Sequence, residues 1–296
     1  MDNQNRRIAF TDEGIETFCR LTGDFNFLHS PEYMDRVHEK RAIVPGIMML
    51  SAFGDSLWDY FAEGVNSIQV CFCDIVSAGE NTRFGITNDG QLNLFLDKNG
   101  LEKNVFASKD VYSRIYSSNP ADFDVNGMQN PSNERIEIER NSLRMFGELM
   151  QIQNESVRDR LFALALLSRT LFNRTKSGNS SVDVELREKM SGGEGQRVLP
   201  VYIDMCVIYS PEKELRLSHN PVNLETFVRK DDSIKRRYVF TAKCMQDGMQ
   251  IYSASGGLLV VKEELLARGA MDSTIIAVAP LANNSSLTTN KPPEAE

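Results

Sequence analysis

Tryptophan occurs once in this 296-residue sequence, at Trp58, and histidine three times, at His29, His38 and His219. Any imidazole chemistry therefore has few places to sit. Cysteine is also sparse, and Cys19, Cys71, Cys73, Cys206 and Cys244 form an odd set without CxxC spacing. Neither a zinc site nor a disulfide framework is indicated, and a reducing compartment is expected. Cys71 and Cys73 share one face of a strand-like run, which suits small core side chains. No apolar run reaches bilayer length: the longest, Leu161 to Leu167, is flanked by Arg158, Arg160 and Arg169 and reads as a buried helix. Met1 to Arg7 is polar and lacks the apolar core of a secretory signal, so a cytoplasmic location is expected. Basic residues are in deficit, 33 against 41 acidic, for a net charge of -8. Such a surface repels nucleic acid, and the short run Lys235, Arg236, Arg237 reads as a solvated turn or strand edge. There is no GxGxxG, P-loop, HExxH or GxSxG string, and Gly192-Gly193-Glu194-Gly195 lacks the strand-to-helix setting of a phosphate cradle. No metal, redox cofactor or membrane partner is implied.

What remains is ordinary globular material, 41% hydrophobic and 25% charged, long enough for two modules. Thr11 with Asp12 and Glu13 opens a helix whose Ile15, Phe18, Cys19 and Leu21 share a face, ending near Gly23. Residues 23 to 29 read as a loop, and Ser30-Pro31 starts a short helix. A longer helix is expected from Pro45-Gly46 to about Phe61, with Ile47, Leu50, Ser51, Gly54, Trp58 and Phe61 on one stripe. Strands are expected at Ser67–Cys73, Thr82–Thr87, Leu92–Leu96 and Val105–Tyr116. Residues 119–133, polar and turn-rich, mark a linker between a first module (1–118) and a second (134–265). The second module repeats the order, with a helix pattern over Glu134–Arg174, a Gly/Ser-rich loop over Ser177–Gly195, and strands at Val198–Ser210, Val222–Arg229, Ile234–Gln246 and Gln250–Val261. Residues 266–296 are expected to be a partly disordered tail.

The informative string is Leu21-Thr-Gly-Asp24-Phe-Asn26-Phe-Leu-His29, followed by Ile43-Val44-Pro45-Gly46-Ile47-Met48. Read alone, Asp24, Asn26 and His29 are also common loop residues that bond nearby backbone. Together with the downstream helix and the turn Ala78-Gly79-Glu80, the string resembles the MaoC-like, (R)-specific enoyl-thioester hydratase family, whose pattern is GDxNPxH and then a helix opening IVHGML. Residues 8 to 116 carry the resemblance. It implies an α+β double hotdog, two helix-wrapped antiparallel sheets in one chain, with the second module a non-catalytic partner. It also implies that Asp24 and His29 are an acid–base pair flanking a water, with Asn26 fixing the water or the carboxylate. The amides of Gly46 and Ile47 would meet the thioester oxygen, and Ile47, Leu50, Phe53 and Leu57 would line the acyl slot. Substrates would be carried on coenzyme A or acyl carrier protein, without metal or redox cofactor. Two departures stand out. Phe27 replaces the family's proline, and Pro45 replaces its histidine, removing an imidazole and an amide donor beside the expected oxyanion site. A hotdog thioesterase and a non-catalytic acyl-binding protein are the other readings, and a homodimer is left open.

Overall fold

Thr11 stops the chain from continuing as strand and starts it as helix. Its backbone is extended (φ -92°, ψ 156°) and its Oγ1 accepts from the Gly14 amide at 3.1 Å, which caps α1 (Asp12–Thr22) as the sequence leads one to expect. The computed structural model describes residues 6–38, 40–98, 101–106, 113–116, 131–177, 181–191, 198–212, 214–232, 234 and 236–267. Ahead of Thr11 lies a strand, β1 (Arg6–Ala9), that the polar N-terminus did not suggest. After the loop comes α2 (Pro31–His38), opened by the proline at its first position.

The expected helix from Gly46 to Phe61 is interrupted. It consists of α3 (Gly46–Ser51), a 3-10 turn over Gly54–Leu57 and α4 (Trp58–Ala62), with φ of 48° at Gly54. The break has a purpose in packing: Asp55 turns outward and its carboxylate accepts from the amides of Gln153 and Asn154 at 2.9 and 2.8 Å. Those amides precede α6 (Glu155–Ser177), so the interruption ties one half's helix to the other's. Strands β2 (Ser67–Cys71), β3 (Asn81–Ile86), β4 (Leu92–Lys98), β5 (Leu101–Asn104) and β6 (Arg114–Tyr116) follow. Of the expected strand Val105–Tyr116 only β6 is regular. Val105 and Phe106 form a buried bend, and residues 107–112 lie outside the described ones.

The helix pattern expected over Glu134–Arg174 resolves into the end of a strand and two helices: β7 (Ser132–Ile136), α5 (Arg140–Met150) and α6. Gln151 at φ 55° ends α5 in the left-handed conformation. Residues 119–130 of the expected linker are outside the described residues, and Ser132 and Asn133 belong to β7. Inside the expected Gly/Ser-rich loop sits a helix, α7 (Ser181–Met190), that the composition concealed. Then come β8 (Val198–Tyr209), β9 (Val222–Lys230), β10 (Arg237–Gln246), β11 (Met249–Lys262) and α8 (Glu263–Ala267). Leu266 and Ala267 are thus helical, and the rest of the expected tail lies outside the described residues.

All strand pairs are antiparallel, in a four-stranded sheet of order β1-β3-β4-β5 and a seven-stranded sheet of order β6-β2-β8-β11-β10-β9-β7. The halves join where β2 pairs with β8, Val70 opposite Met205. Alternation in β10 sends Tyr238, Phe240, Ala242 and Cys244 into the core, all with no exposed surface. α6 packs between β9 and β11 on one side and α1 and α3 on the other. Its Leu161, Leu164 and Leu167 are fully buried, each worth roughly 1.5–3 kcal/mol against an exposed position. Arg237 departs from the solvated edge expected of its basic run. It is buried, 3.0 Å from the Asp204 carboxylate. Across the outer face α2 meets α8, where Glu263 accepts from Tyr33 and lies 3.2 Å from His38.

Candidate active site

Gly23 places the candidate loop against the second half. Its φ of 75° lets its amide reach the Cys19 carbonyl at 2.8 Å, and an added Cβ would lie 2.7 Å from Cδ of Arg169 on α6. Arg169 is itself held: its Nε is 2.7 Å from Glu134, whose carboxylate also accepts from Thr170 and Asn173. The loop then coils on itself. Asp24 Oδ1 accepts from the Asn26 amide at 3.4 Å, and Asn26 Oδ1 accepts from the Leu28 amide at 3.2 Å, capping a 3-10 turn over Phe27–His29. Asn26 therefore shapes the loop through its side-chain oxygen, which leaves its amide hydrogens as the donors that could reach a water or a carboxylate.

His29 is fixed from two sides. Its Nδ1 lies 2.6 Å from the Ile43 carbonyl, and the Ile43 amide donates to the Leu28 carbonyl at 2.8 Å. A carbonyl can only accept, so Nδ1 carries a hydrogen, and in the neutral imidazole Nε2 presents its lone pair. Nε2 faces Asp24, with Nε2 and Oδ2 3.8 Å apart and both side chains nearly buried, at 11% and 6% exposure. The Ala78-Gly79-Glu80 turn is part of the same scaffold. Glu80 Oε2 accepts from the Ser77 amide at 2.6 Å, and Ser77 bridges to Ile43, whose carbonyl orients the imidazole.

Asp24, Asn26 and His29 line one cavity of about 110 Å³, together with Gly46 at the start of α3. An added Cβ at Gly46 would sit 3.0 Å from the Phe72 ring, so a side chain here would press on that ring. The Gly46 amide, being in the first helical turn, has no acceptor within the helix. A second carboxylate, Asp74, also lines the cavity; it accepts from the Ile75 amide and pairs with Lys103 Nζ at 2.7 Å. Two further polar groups come from the other half: Ser168 on α6 and Tyr202 on β8. Burial pushes the Tyr202 phenol well above its ordinary range, the Asp24 charge pushes the same way, and the Ser168 hydrogen bond opposes them. Most of the rest is apolar.

No family model matches the chain, and no curated protein matches it. Solved structures do. A MaoC-like dehydratase superposes with a TM-score of 0.50 at 12% identity, covering 88% of this chain and 96% of that one. The dehydratase domain from the CurJ module of the curacin polyketide synthase gives 0.50 at 8% identity, over 90% and 98% of the two chains. The fold is a double hotdog. The two sheets and their helices account for it, and the shared architecture covers both halves rather than the motif-bearing one alone.

Within this double hotdog the expected site residues fall into two groups. Asp24, Asn26, His29 and Gly46 meet at one cavity. Ile47, Leu50, Phe53 and Leu57 do not line it. They are buried in the main core, Phe53 packing at 5.5 Å on Phe84 of the four-stranded sheet and at 5.7 Å on Phe106. The reason is rotational. The apolar stripe of α3 serves the core, and the helix presents Gly46 and Met49 to the cavity instead. The apolar wall is shared: Leu171, Leu186, Val228 and Leu258 come from the second half, and Leu28, Ile43, Met49 and Phe72 from the first. Helical and strand periodicity mark these residues as inward-facing, but no local signal assigns them to a common cavity. Among the described residues no helix is long and apolar enough to cross a membrane.

Proposed function

We propose that the chain hydrates trans-2-enoyl thioesters, or dehydrates the corresponding (R)-3-hydroxyacyl thioesters, with Asp24 and His29 as the acid–base pair. The supporting observation is the orientation of His29: its Nδ1 hydrogen is committed to the Ile43 carbonyl, and its Nε2 faces the Asp24 carboxylate at 3.8 Å. With the imidazole neutral these are two acceptors facing each other, and a water giving one hydrogen to each would satisfy both. In hydration that water loses a proton to one of the pair as its oxygen bonds to C3. The double-bond electrons move toward the thioester oxygen, for which the Gly46 amide at the cavity is the candidate donor, and a proton returned to C2 completes the addition. The apolar wall would hold the acyl group, and coenzyme A or an acyl carrier protein would present it.

The test follows enoyl thioesters by loss of the conjugated double bond, and in parallel by release of free thiol. Hydration that disappears in Asp24→Asn and His29→Ala supports the reading. Thiol release without hydration would move the assignment to a thioesterase, using the same water against the carbonyl. Wild-type rates in both variants would remove Asp24 and His29 from the chemistry.

A further inference from the structure

The acid–base reading leaves polar groups of the cavity unused, among them a pair of hydroxyls. Ser168 and Tyr202 both line it, and their hydroxyl oxygens are 3.3 Å apart. Around them the second half contributes carbon: Leu171, Leu186, Val228 and Leu258. Tyr202 lies deep in the protein, its ring edge-on to Phe240 at 5.7 Å and tilted against Phe72 at 6.3 Å, yet it keeps accessible surface because it borders the cavity. Two hydroxyls carry two hydrogens, and the bond between them uses one. Among the described residues that bond is the hydrogen bond the Tyr202 hydroxyl makes. A hydroxyl hydrogen remains for an acceptor in the cavity, where an all-carbon ligand would leave it desolvated and unpaired.

We propose that the Ser168–Tyr202 pair is a specificity site for an oxygen substituent on the acyl chain, so that the preferred substrates are oxygenated acyl thioesters rather than plain fatty acyl ones. The proposal rests on the thioester reading, in which the carbonyl oxygen is already provided for by the Gly46 amide at the start of α3. The pair stands on α6 and β8 of the other half, and the ligand oxygen it receives belongs to the acyl group. A pocket that hydrogen-bonds a substrate oxygen discriminates strongly against the analogue lacking it, because its own donor is then stranded.

The experiment measures binding of unreactive coenzyme A thioethers in matched pairs, each carrying a hydroxyl or a methylene at one carbon, scanned outward from C5. Wild-type protein is expected to favour the hydroxyl partner about tenfold or more at one position. Tyr202→Phe should abolish that preference while leaving the affinity for the methylene partner unchanged or improved. Ser168→Ala should reduce it severalfold, and serves if the tyrosine variant fails to fold. Asp24→Asn should lose hydration and keep the preference. No preference at any position, or equal weakening of both partners in Tyr202→Phe, would overturn the proposal. An equal loss of hydration rate on plain and oxygenated chains in Tyr202→Phe would overturn it too, making the phenol a donor to the thioester. Wild-type protein that shows the preference but hydrates nothing would sink the acid–base reading alone.

Discussion

The imidazole of His29 is held by backbone, while the carboxylate of Asp24 is held by the loop's own amide, so each can be altered without dismantling the other's support. Asp24→Asn keeps the shape and the acceptor for the Asn26 amide but loses the charge; His29→Ala removes the base and leaves the Ile43 carbonyl beside the cavity. Each is expected to lower kcat/KM on an enoyl thioester by roughly 10²–10⁴-fold, with melting temperatures close to wild type, as steady-state kinetics and thermal melts would show. Gly23 behaves differently. Gly23→Ala forces a side chain into a left-handed conformation and drives a methyl against the Arg169 stem, so it should cost stability, about 1 kcal/mol or more. Adding Arg169→Ala relieves the collision and not the backbone strain, so denaturant titration of the double variant should recover only part of the loss. The site was legible at this scale because Asp24, Asn26, His29 and Gly46 lie within one short stretch whose turn chemistry is local. Ser168 and Tyr202 were not, since each is unremarkable in its own helix or strand and becomes a pair only through tertiary packing.

Elements were readable where periodicity and burial agree. The alternation of Tyr238, Phe240, Ala242 and Cys244 marks β10 because one face is core. It fails at β7, an edge strand whose Ser-Asn-Glu-Arg residues are mostly at least partly exposed and carry no apolar alternation. It fails again at Gly54, where the helix breaks although the apolar stripe continues, because Asp55 is needed to receive two amides from the other half. Asp55→Ala should therefore cost about 1–2 kcal/mol in a denaturant titration, although the residue looks like an ordinary polar position in a helix. α7 was hidden by its flanks, and charge holds it down: Glu185 lies 2.5 Å from Lys189 and 3.0 Å from Lys230 on β9. Hydrogen bonding to Lys189 and Lys230 lowers the Glu185 carboxyl from 4.5 to about 2, against a smaller opposing effect of burial. A depressed acid contributes stability that is complete above its unfolded value and vanishes as pH falls through the folded one. Glu185→Gln should accordingly lower the melting temperature modestly at neutral pH, as loss of a partly exposed ion pair does, and flatten its fall between about pH 4.5 and about 2 so that the two proteins converge at low pH.

At the scale of the whole molecule, the two halves are separate in sequence character but not in structure. The first carries the loop, the glycine at the helix start and part of the apolar wall; the second supplies the hydroxyl pair, the rest of that wall and the arginine stem on which the loop rests. The sheet itself crosses the divide, since β2 pairs along β8 from Ser67 opposite Ile208 to Cys71 opposite Asp204. A half expressed alone would present that strand edge and the apolar face of its central helix to water, which favours aggregation over folding. Residues 1–130 and 131–296 produced separately are thus expected to be poorly soluble or to lack cooperative melting. Produced together, they should recover a single cooperative transition and thioester hydration, because the cavity needs walls from both. If residues 1–130 alone melted cooperatively and turned over enoyl thioesters at the rate of the intact chain, the second half would be dispensable. Its share of the apolar wall and the Ser168–Tyr202 pair would then have no part in holding substrate.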